Sequence, residues 1–227
     1  VGEDFVPITS SMEASLLFSS FNWRGPGNVE SKLDYWDRVF LKAQEMVERV
    51  RSGEKVSAQE EKEMVEQLCR MMIGREDKVL SLAYQYFTLE DLLEIRNRLL
   101  GSGFIGGKSV GMLLARKILQ ADPQNNWENW LEQHDSFYIG ADVYYTFLVE
   151  NGCWNLRLEQ KKEESYFSAA AVLREKILTG EFPGAIRDQL NQMLDYYGQS
   201  PIIIRSSSLL EDGFGNAFAG KYESVFC

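Results

Sequence analysis

The feature that most limits how this chain can fold is a glycine-rich turn near its middle, Gly101-Ser102-Gly103-Phe104-Ile105-Gly106-Gly107. Glycine reaches backbone angles closed to other residues, and a cluster of this density stops any helix or strand that runs into it. Before the turn, apolar residues recur at three- and four-residue steps. After it, helical patterns mix with short apolar runs bounded by turn residues. The spacing therefore predicts a helical region over 1–100 and a mixed region over 101–227, in an α+β or α/β fold class, α+β being the one adopted.

Within the first region, residues 1–30 read as irregular, with a loop from Phe21 to Asn28 marked by Gly25, Pro26 and Gly27. Trp36, Val39, Phe40, Ala43, Met46, Val47 and Val50 then form one helical stripe, stopped at Gly53. Ser57 and Glu60 make a capping box for a helix that buries Met64, Val65, Leu68, Cys69 and Met72 and ends near Gly74. Thr88 and Asp91 open another, Leu89–Leu100. After the glycine turn the pattern predicts a helix Lys108–Leu119, a polar connection over 123–133, a short strand Ser136–Ile139 and a helix Ala141–Glu150. Helices Glu163–Leu178 and Pro183–Tyr197 follow, then a buried strand Pro201–Arg205 and a strand within Ala217–Phe226.

Charge and composition remove several functional classes. The 227 residues carry 24 Lys+Arg against 34 Asp+Glu, a net charge of −10. The excess divides evenly between 1–100 and 101–227, so no basic stripe exists to bind nucleic acid or an anionic membrane surface. No apolar run approaches the ~18–20 residues of a spanning helix. Cys69, Cys153 and Cys227 are too sparse for a disulfide framework or a zinc site and read as reduced thiols, which points to the cytoplasm. A single histidine, His134, leaves no multi-histidine metal site; it and Cys153 read as structural. The Trp and Tyr residues of 127–145 fit packing better than base stacking, because no basic residues interleave them. The N-terminus lacks the pattern of a secretory signal, and beginning at Val1 rather than an initiating Met, the chain is expected to be part of something longer.

Three segments could carry chemistry. Gly106-Gly107-Lys108-Ser109 opens a helix, and backbone N–H groups there form a natural anion cradle beside a lysine charge. It is not a Walker A loop, because Ser102 stands where that motif requires glycine. A helix–loop–helix turn with an exposed lysine is the plainer alternative. Arg205, at the end of an apolar run and followed by Ser206, Ser207 and Ser208, offers a planar fork suited to phosphate; a solvated strand end with Glu211 and Asp212 as surface charge is the alternative. The stretch Gly213–Ser224 is long and glycine-rich, suited to close approach to a ligand or to a hairpin loop packed by its Phe residues.

Taken in this order, the segments resemble the N-terminal nucleotide-binding domain of phosphoenolpyruvate synthase and pyruvate phosphate dikinase. That ATP-grasp-like module is also found in rifampin phosphotransferase and the glucan water dikinases. The resemblance rests on Gly106-Gly107-Lys108-Ser109-Val110-Gly111-Met112, on Ser136–Asp142 running into Tyr145–Leu148, on Ile204-Arg205-Ser206-Ser207-Ser208-Leu209-Leu210-Glu211-Asp212, and on Phe218-Ala219-Gly220-Lys221-Tyr222-Glu223-Ser224. It covers 101–227 as the first half of the module; nothing similar is recognised in 1–100. The Phe-Ala-Gly form looks more like the synthase branch. Ser109 stands where the family usually has Gly, and Gly140 where it usually has Thr.

The resemblance implies phosphoryl transfer from ATP. It places Gly106, Gly107, Lys108, Arg205, Ser206, Glu211, Phe218, Ala219 and Gly220 at the nucleotide, with Lys108 and Arg205 on its phosphates, Arg205 also catalytic, and the Phe-Ala-Gly loop closing over them. It further implies Mg²⁺ held by residues downstream of Cys227, and a histidine, then pyruvate or another acceptor, on domains outside this chain. The 227 residues would then be half a site, inactive alone. The competing expectation is a non-catalytic nucleotide-sensing or scaffold protein that keeps the module.

Overall fold

The computed structural model describes residues 34–227 apart from Gln133, Leu209, Leu210, Phe214, Gly215, Ala219 and Lys221. The loop expected over 21–28 and the predicted site residue Ala219 lie outside the described residues. The described chain is mostly helical with a few short strands, and it forms two compact units: residues 35–143 with 188–227, and residues 144–187.

The first unit begins with helices α1 (Tyr35–Arg51), α2 (Ala58–Met72), α3 (Asp77–Tyr86) and α4 (Leu89–Asn97). The predicted capping box at Ser57 forms, and the helix expected to open at Thr88 and Asp91 carries a second one. Ser57 Oγ accepts from the Glu60 N–H at 3.1 Å while Glu60 accepts from the Ser57 N–H. Thr88 and Asp91 do the same for α4. Each box satisfies two N–H groups that a helix start otherwise leaves open. The apolar stripes meet in one core containing Phe40, Ala43, Leu68, Cys69, Met72, Leu80, Ala83, Leu92 and Ile95. Burial there pushes the Cys69 thiol up to about 12, which leaves it a packing group rather than a nucleophile.

The helix expected to run to Leu100 stops earlier. Leu99–Leu100 is a short strand, β1, paired in parallel with β2 (Tyr138–Ile139). Two consecutive buried leucines suit either a helix or a strand, and the pairing with Tyr138 and Ile139, distant in sequence, decides between them. Between these strands lies α5 (Gly107–Gln120), so the glycine turn is the connection of a strand–turn–helix unit rather than a link between two helices.

The second unit holds Tyr144 to Arg187. Its elements are α6 (Ala141–Glu150) from Tyr144 on, α7 (Trp154–Glu159), α8 (Tyr166–Thr179) and the start of α9 (Gly184–Tyr197). Leu148, Cys153 and Leu173 form its small core, with Trp154 and Leu156 against it. The remaining strands return to the first unit: β3 (Ile203–Arg205), β4 (Asp212–Gly213), β5 (Asn216–Ala217) and β6 (Ser224–Phe226). β3 pairs antiparallel with β6, and β4 with β5.

The buried strand expected at Pro201–Arg205 is corrected here: β3 is a strand, but Ile203 and Ile204 are nearly half exposed. An apolar run selects extended structure; it does not specify what covers it, and among the described residues β3 has one neighbouring strand. The strand expected within Ala217–Phe226 is split, its two ends pairing with different partners. Tyr138 is buried as expected of a packing aromatic, whereas Trp130 is 81% exposed and is not. No described helix is long and apolar enough to cross a membrane.

Candidate functional site

The candidate site is built at the N-terminus of α5. The turn before it is fixed from several sides. Asp142, in the first turn of α6, accepts from both the Ser102 N–H and the Ser102 hydroxyl at 2.7 Å. Ile105 N–H donates to the Met72 carbonyl at 2.9 Å, and Ala141 N–H to the Phe104 carbonyl at 3.1 Å. Gly101 N–H donates to the Gln189 side chain. Asp142 is not among the site residues expected from sequence, although it closes the Ser136–Asp142 segment that carries part of the resemblance.

Gly106 takes φ 83°, in the region that favours glycine. A Cβ there would run into the Ser207 carbonyl oxygen. That close approach lets the segment after β3 dock on the helix. Gly107 N–H donates to the Ser207 carbonyl at 2.9 Å and Ser109 N–H to Ser207 Oγ at 3.1 Å, while the Ser109 and Ser207 hydroxyls lie 3.2 Å apart. Lys108 Nζ sits 3.7 Å from Glu211 Oε1. Glu211 is only 9% exposed, and its Oε2 is buried with no hydrogen-bond partner among the described residues.

Two further hydrogen bonds link Ser206, Ser208 and Glu211. Ser208 N–H donates to Ser206 Oγ, and Glu211 N–H to the Ser208 carbonyl. Phe218 N–H then donates to the Glu211 carbonyl at 2.8 Å, which ties the far end of the β4–β5 hairpin to the same point. The structure thus brings Gly106, Gly107, Lys108, Ser206, Glu211 and the Phe218 backbone into one neighbourhood. Arg205 lies two residues before Ser207, exposed, at the end of β3, in register with Ser224 of β6. Gly220 is exposed, with φ 81°. Cys153 is buried as a packed thiol, and His134 is exposed.

Chemically, this is a helix N-terminus with a lysine in its first turn and a hydroxyl-rich strand end laid across it, groups suited to an anion, with the Gly107 and Ser109 N–H groups engaged by Ser207. The profile of the pyruvate phosphate dikinase AMP/ATP-binding domain family matches residues 102–227. The chain belongs to that family. Comparison with curated proteins and with solved structures gave no match. Within the dikinase-domain family pattern, the two departures have structural reasons here. Ser109 uses its hydroxyl and N–H to hold Ser207, a bond that the usual glycine would make only in part. Gly140 backs onto Ser102, whose carbonyl oxygen would collide with any Cβ at that position, threonine included.

Proposed function

We propose that residues 101–227 are the first half of an ATP-grasp-like nucleotide-binding domain. The protein would be an ATP-dependent phosphotransferase resembling phosphoenolpyruvate synthase. Gly106, Gly107 and Lys108 receive the ATP phosphates at the α5 N-terminus. Arg205 and Ser206 approach them from the strand end, with Arg205 stabilising charge on the transferring group. Phe218, Ala219 and Gly220 close over the triphosphate, and Glu211 lies at the phosphate end beside Lys108. The phosphoryl group passes to a histidine other than His134, which sits in no phosphohistidine motif, and then to pyruvate or another acceptor. Such transfer needs chiefly positioning and charge stabilisation, which a helix N-terminus and two cations supply. The described residues hold no group of three His, Cys, Asp or Glu side chains able to ligate a metal.

The observation that carries this reading is the meeting of the Gly-Gly-Lys turn with the Arg-Ser-Ser-Ser segment at one helix N-terminus, ninety-eight residues apart at Ser109 and Ser207. The test is ATP titration and ATP-dependent self-phosphorylation of the full-length protein. Lys108→Ala and Arg205→Ala are each expected to weaken ATP binding on the order of a hundredfold and to abolish labelling. Wild-type labelling in either variant would sink the assignment. ATP binding without labelling in the wild type would favour a nucleotide sensor.

A further inference from the structure

The anion site carries an anion of its own. The N–H groups of Gly107 and Ser109 are engaged by Ser207, and Lys108 is paired with Glu211. The pair is imperfect. At 3.7 Å it is longer than the roughly 2.7–2.9 Å of a charge-assisted hydrogen bond. Glu211 is also buried with one oxygen left without a partner among the described residues, an arrangement that costs free energy. A glutamate serving only to anchor Lys108 would gain by turning outward or by binding it closely. We infer that Glu211 is a displaceable resident ligand: its carboxylate latches Lys108 in the nucleotide-free protein, and arriving phosphate takes the lysine from it. The inference rests on the nucleotide reading above and adds to it an internal competitor. With the latch closed, the Lys108 charge is cancelled. A polyphosphate must therefore bind well enough to break the pair, and its apparent affinity falls by the cost of doing so.

The test uses Glu211→Gln, which keeps the shape and removes the charge, with Lys108→Met and the double variant, in the full-length protein. ATP is titrated with divalent metal chelated. Glu211→Gln is expected to tighten ATP binding about tenfold, and to change nothing once Lys108 is Met, because the competition is then gone. Where the wild type binds ATP, unchanged or weaker binding in Glu211→Gln would overturn the latch. A loss seen only when Mg²⁺ is present would make Glu211 a metal ligand, which also overturns it.

A second measurement needs no nucleotide. Acetylation of lysines by an amine-reactive ester, mapped by mass spectrometry, is expected to be several times faster at Lys108 in Glu211→Gln than in the wild type, with Lys117 unchanged as the control for an intact fold. Equal rates at Lys108 would overturn the latch even if ATP bound. Faster labelling together with no ATP binding by any variant would leave the latch standing and remove the nucleotide reading.

Discussion

The two ends of α5 solve the same problem in opposite ways. Each carries a lysine facing a carboxylate from elsewhere in the chain. At the C-terminal end, Lys117 Nζ lies 2.6 Å from Asp91 Oδ1. The lysine is in the last turn, where the helix dipole favours a cation. Asp91 spends its other oxygen on the Thr88 N–H of the α4 cap, so both carboxylate oxygens are used. At the N-terminal end, Lys108 stands in the first turn, where the dipole disfavours a cation. Its partner is 3.7 Å away, and that partner keeps an oxygen with no described partner. One end is a finished structural joint. The other holds a lysine and a buried carboxylate in a loose pair at a helix N-terminus, an arrangement that folding alone does not need.

The largest effect should come from breaking the N-terminal joint itself. Gly106→Ala puts a side chain on a positive-φ backbone and drives its Cβ into the Ser207 carbonyl. A destabilisation of about 3 kcal/mol is expected from strain and lost docking together. Urea denaturation followed by circular dichroism would measure it. A change below about 1 kcal/mol would mean that the segment after β3 docks without this close approach.

Gly106 also shows how far the sequence could be read. Its place in a glycine-rich turn opening a helix is visible, as are the capping box at Ser57 and the helix start at Thr88, because each of these is written within a few neighbouring residues. What the turn packs against is not. Ser207 was one hydroxyl among three, and nothing local distinguished it as the one that would cap α5 from ninety-eight positions away. Leu99 and Leu100 failed for the same reason: their strand partner is Tyr138–Ile139, and two leucines continue a helical stripe as readily as they start a strand. Ile203 and Ile204 failed in the other direction, because hydrophobicity announced a strand and could not announce its exposure. The Glu211 carboxylate, plausible as surface charge in a Glu-Asp pair, is buried beside Lys108.

A smaller effect is expected at the finished end. Asp91→Asn keeps an oxygen able to accept from the Thr88 N–H but removes the charge facing Lys117. With both side chains less than one-third exposed, a loss of about 1 kcal/mol follows from the ion pair and the charge–dipole contribution at the start of α4. The measurement is the same denaturation experiment, repeated at high salt. There the wild-type and Asp91→Asn curves should draw together, as screening weakens the partly exposed pair.

The smallest effect is expected from the same change of carboxylate to amide at the other end. Glu211→Gln removes an ion pair, but it also removes the cost of keeping a buried charged oxygen without a described partner. Replacing a buried charge whose pairing is poor tends toward neutrality, because the desolvation relieved offsets the attraction lost. Lys108 keeps 28% of its side chain exposed, so its ammonium can turn to water rather than remain stranded. The stability change should therefore stay within about 0.5 kcal/mol, smaller than that of Asp91→Asn. If Glu211→Gln instead proved the more damaging of the two, Glu211 would be a structural anchor like Asp91, and the contrast between the two ends of α5 would disappear.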